Sequence, residues 1–138
     1  MKRLILFLTV VTLLTSCTTY STDTTDAINL TVRAQDWVDY DGTANDIPRY
    51  YAYTFSMPEI DYSVYNQGLV QAYVVFNGAQ QVLPYVQHYG GSNATSSWVW
   101  TRTIDFRYSV GELTVYVTNS DFAVDVPPAM NFRVVIVK

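Results

Sequence analysis

Five side chains stand closest to a recognisable chemistry. Tyr85, His88, Tyr89, Trp98 and Trp100 crowd around a glycine- and serine-rich stretch, Gly90 to Ser97. Aromatic faces at the rim of a loop stack on sugar rings, and His88 or Asn93 would hydrogen-bond the hydroxyls; binding sites of that kind pair flat apolar surface with a few placed polar groups. The competing expectation is packing. Trp98 and Trp100 lie two residues apart, so on a strand they share a face, and the favoured reading sends both into the core.

Three carboxylates, Asp39, Asp41 and Asp46, surround Gly42 in one loop, an oxygen-rich arrangement of the sort calcium favours. The spacing is not that of an EF-hand, and a polar turn built on Asx and glycine chemistry accounts for it as well. His88 is the sole histidine and Cys17 the sole cysteine, so zinc would lack its usual ligands, and no spacing around His88 singles out a Ser-His-Asp order. Glu59 and Asp61 would be the candidate pair for a glycosidase, but glycosidic chemistry needs a fixed separation across a bond. Beside Pro58 they read more simply as caps of a short turn. No catalytic residue and no cofactor is assigned.

The elements that must position these residues are strands. Of the 138 residues, 49% are hydrophobic, 15% aromatic and 14% charged, with 12 Tyr, a balance that favours sheet. Ile28, Leu30, Val32 and Ala34 alternate with polar neighbours, as do Tyr51, Tyr53 and Phe55. Asn77-Gly78 between Leu69–Phe76 and Ala79–Tyr85 is a hairpin signal, because a two-residue primed turn needs positive φ at both centres. That hairpin sets Gln81 on an inward face opposite Val74, which suggests a bulge. Asp61 to Gly68 reads as one helical turn closed by glycine. Trp98–Tyr108 and Leu113–Thr118 alternate again, with Asp105 and Arg107 expected in ion pairs on the solvent face. Phe132–Val137 is apolar on both faces and should be central. Seven strands with short turns predict an all-β protein, a single antiparallel β-sandwich of Ig-like type over residues 28–138.

Residues 1–16 are ordered as a basic start (Lys2-Arg3), an apolar run too short to span a bilayer, and small residues, which is the order of a secretory leader. It ends Leu14-Thr15-Ser16-Cys17, which resembles the bacterial lipobox. The resemblance implies lipid attachment at Cys17, cleavage before it, and a membrane partner held through that lipid. Residues 17–27 then serve as a polar linker. Thr18, where many diderm lipoproteins retained at the inner membrane carry Asp, points to the outer membrane. Without its leader the chain keeps six basic residues against twelve acidic ones, which argues against nucleic acid as a partner.

With the strands placed, the chain resembles small Bacteroidota lipoproteins of a single β-sandwich. The shared order runs from Trp37 through Met57-Pro58-Glu59-Ile60, Gly68 to Tyr73, Leu83-Pro84 and Ile104-Asp105-Phe106 to Phe132-Arg133-Val134-Val135. The resemblance implies a fold and an envelope address but carries no activity. Three functions therefore remain: an envelope interaction module with sheet edges open to strand addition, a glycan-binding protein, and, last, a small hydrolase.

Overall fold

A computed structural model describes residues 24–41, 49–121 and 123–138. Cys17, its leader and Asp46 lie outside the described residues. Within them the architecture is an all-β sandwich of two antiparallel sheets. The first has the order β1 (Thr25–Val32), β9 (Met130–Val137), β4 (Leu69–Phe76), β5 (Ala79–Val82). The second runs β2 (Val38–Tyr40), β3 (Tyr50–Met57), β8 (Gly111–Asn119), β7 (Ser97–Ser109), β6 (Tyr85–Ser92).

Among the described residues there are nine strands where the sequence suggests seven, and the two additional ones are edges. β2 has three residues, too few for alternation to register. β6 runs through Gly90-Gly91-Ser92, which reads as loop until its pairing with β7 is seen. β1 begins at Thr25, inside the segment that reads as linker, and it ends at Val32. Ala34–Asp36 is a short 3-10 turn and not a continuation of the strand.

The core forms where the alternating faces meet. Val70, Ala72 and Val74 of β4 and Phe132, Val134 and Ile136 of β9 join Leu113, Val115 and Val117 of β8, Ile104 of β7 and Tyr51 of β3 in one buried cluster. β9 sits between β1 and β4, as its two apolar faces require. The Asn77-Gly78 turn has φ of 49° and 81°, the positive pair a primed turn demands. Val74 pairs with Gln81 without a bulge. Gln81 escapes burial because β5 is a short exposed edge ending at Val82.

α1 (Tyr62–Gln67) is capped by Asp61, whose carboxylate accepts from the Val64 N–H at 2.8 Å. It closes one end of the sandwich. The Gly111 N–H donates to the Ile60 carbonyl at 2.8 Å, and a Cβ on Gly68 would fall 2.5 Å from the Val137 carbonyl oxygen. Thr25 pairs with Val137 and Leu69 pairs with Val137, so the start of β1 lies at that same end.

Candidate functional site

β6 and β7 pair without interruption from Tyr85–Ile104 to Ser92–Ser97. Side chains 85, 87, 89 and 91 of β6 therefore share a face with 98, 100, 102 and 104 of β7. Ile104 on this face is fully buried, so it is the core face of the sheet. The first sheet covers it as far as the contact of Phe76 with Tyr85, whose ring centroids are 5.8 Å apart. Beyond that contact the hairpin outruns its cover, at the end of the sandwich opposite α1.

This corrects the core assignment of Trp98 and Trp100. Both do point to the core face, but they stand where no opposing sheet reaches. Trp98 is 50% exposed. Its indole rests on Gly91, where an added Cβ would lie 2.7 Å from two of the ring carbons. One face is thus occupied by backbone and the other faces solvent. Tyr89 and Trp100 stack on each other across the strands, centroids 4.2 Å apart and planes within 9°. The stack covers one face of each, and both rings are half-buried, which leaves Trp98 as the most exposed flat surface of the three.

Polar groups follow further along the same face, four residues from Trp98 and beyond the Tyr89–Trp100 stack. The Arg102 guanidinium carbon lies 5.6 Å from the Tyr89 ring and 5.5 Å from Trp100, and its Nε donates to the Asn119 Oδ1 at 2.9 Å. Asn119 is buried on β8 and fixes the direction of the guanidinium. The Tyr89 hydroxyl donates to Gln87 Oε1 at 2.6 Å. Along one face the arrangement can offer an extended hydroxyl-rich chain an apolar ring at Trp98 and, about four residues on, the remaining N–H groups of Arg102 and the amide of Gln87.

Of the five residues singled out by sequence, three belong here. Tyr85 is half-buried under Phe76 and belongs to the margin of the core. His88 pairs with Thr101 and points to the opposite face with Val86 and Val99, so it leaves the site. Arg102, Gln87 and Gly91 are the members that sequence reasoning misses. Their signal is cross-strand register, visible only once β6 is recognised as a strand.

The remaining candidates disperse. Asp39 makes a two-pronged ion pair with Arg49, with Arg49 Nε at 2.9 Å from Oδ1, so Arg49 engages both of its oxygens. Among the described residues no group of three His, Cys, Asp or Glu side chains is placed to hold a metal. Asp61 is the helix cap, and Glu59 does not share that role. Asp105 accepts from its neighbour's Phe106 N–H at 2.7 Å, and Arg107 lies 5.3 Å over Tyr116; among the described residues neither forms the solvent-face ion pair expected of it. Burial pushes the Tyr116 phenol above its usual range, partly offset by the nearby Arg107 charge. A cavity of about 270 Å³ lined by Arg107, Tyr108, Ser109, Glu112 and Thr114 lies by the β7–β8 turn, away from Trp98.

Comparison with protein-family models, with curated proteins and with solved structures finds no match. Among the described residues no helix is long and apolar enough to cross a membrane.

Proposed function

We propose that this protein is a non-enzymatic, lipid-anchored envelope module that binds glycan through the exposed β6–β7 hairpin face. The observation that carries the reading is Trp98: half exposed, one ring face seated on Gly91, on the same strand face as the Tyr89–Trp100 stack and, beyond that stack, Arg102 and Gln87. What favours a ligand is that the ring is held by its glycine seat on a face it shares with two further aromatic rings and with polar groups, the combination of flat apolar surface and a few polar groups that binding sites use. By sequence alone an unspecified envelope contact ranks ahead of glycan; the outward position of Trp98 reverses that order.

The anchor half of the proposal rests on the leader and Cys17. It is supported by placement, since β1 starts at the α1 end and the aromatic face lies at the other. A chain tethered through Cys17 in the outer membrane would hold that face away from the lipid.

Titrating polysaccharides into the full chain in detergent, while following tryptophan emission, tests the binding half. Saturable change with at least one glycan, lost in Trp98→Ala with an unchanged melting curve, is expected. Silence across neutral and acidic glycans removes the reading. Feeding expressing cells a clickable palmitate analogue tests the anchor separately: label is expected on the native chain and none on Cys17→Ser.

A further inference from the structure

Charge is unevenly distributed in this molecule. Residues 62–101 contain no Asp, Glu, Lys or Arg. They supply α1, β4, β5, β6 and the first part of β7. β5 and β6 are the edge strands of the two sheets on one side of the sandwich, joined directly through Leu83-Pro84. Edges β1 and β2, by contrast, carry Asp26 paired with Lys138 at 2.8 Å and Asp39 paired with Arg49.

An open sheet edge is a template for further pairing, and proteins ordinarily blunt it with charge, proline, brevity or a bulge. β1 has Asp26, β2 has three residues and Asp39, and β5 has four residues. β6 has none of these devices. It is eight residues long, YVQHYGGS, without proline or formal charge, in unbroken register with β7. Val86 and Val99, 46% and 87% exposed, lie on the face beside it that the aromatic site does not use.

We propose that β6 pairs antiparallel with β6 of a second copy of this chain, joining the two five-stranded sheets across a two-fold axis. In such a contact each strand meets its own sequence, so any charge on β6 would be set near its like. Neutrality is what a homotypic edge requires, whereas an edge meant for a charged partner would carry the opposite sign. The chain bears a net charge of −4, and two copies approach with least repulsion through the side that has no acidic residue. Pairing along the whole strand would add about eight backbone hydrogen bonds. It also brings the Trp98 faces of both copies onto one continuous sheet. The contact does not depend on the glycan reading, because it uses the backbone edge and the opposite face.

Sedimentation velocity of the full chain in density-matched detergent tests the proposal. The expected result is a concentration-dependent dimer whose dissociation constant rises at least tenfold in His88→Lys and in Val86→Lys, both exposed positions, with melting curves unchanged. Val38→Lys on the β2 edge should leave the dimer intact. A native chain that stays monomeric at the highest concentration reached overturns the proposal. So does a dimer indifferent to both lysines, or a different protein found paired to β6 of a monomeric chain.

Discussion

Trp37 and Trp98 belong to the same fold and have opposite surroundings. Trp37 is 8% exposed, meets Phe132 edge-on at 6.5 Å, and donates its N–H to the Pro128 carbonyl at 3.1 Å. Trp98 is half exposed, lies on a glycine, and has no hydrogen-bond partner among the described residues. A buried indole whose polar atom is satisfied contributes to stability. An indole supported on one side only keeps a surface unspent. The difference separates a residue that holds the sandwich together from one available to something outside it.

The sharpest way to break this contrast is truncation. Trp37→Ala should cost about 3–5 kcal/mol in denaturant unfolding, by cavity formation and the loss of a satisfied N–H. Trp98→Ala should change the unfolding free energy by only about 0.5 kcal/mol, in keeping with its exposed position. Equal losses would erase the distinction. Next in size, Trp98→Ala should weaken glycan binding at least about tenfold, or roughly 1.4 kcal/mol, measured by isothermal titration. Trp37→Phe should leave that affinity unchanged.

Gly91→Ala sharpens the comparison without touching an aromatic residue. The new methyl displaces the indole from its seat, so acrylamide quenching of Trp98 should increase and glycan affinity fall a few-fold, while the fold persists. Unchanged quenching would mean that the glycine does not hold the ring. The smallest effect is expected from calcium. With Asp39 engaged by Arg49, adding millimolar calcium should not move the melting curve; a clear upward shift would restore the acidic loop as a site.

Much of the fold is legible locally. Alternation places β3, β4 and β8, Asn77-Gly78 fixes the turn, Asp61 and Gly68 bracket α1, and the double apolar face of Phe132–Val137 makes β9 central. The parity of Trp98 and Trp100 is legible too, since both do share the face of Ile104. What local pattern cannot say is where the opposing sheet stops. That boundary depends on β4 turning back at Asn77-Gly78 just after Phe76, and it decides whether a core-facing tryptophan is covered. β6 is obscured for a related reason: its glycines have the composition of a loop, and only register with β7 shows Gly91 serving as the seat of Trp98. His88 is misplaced because sequence proximity to Tyr89 says nothing of strand face.

The ladder between β1 and β9 has a mechanical consequence. Thr25 lies beside Val137 at one end of the molecule and the aromatic hairpin projects from the other, so tension between the two runs along the strands. β1 would then have to slide lengthwise past β9, straining every rung of that ladder together, where a pull from the side would open them one after another. The first strand is arranged as a strap that resists drag.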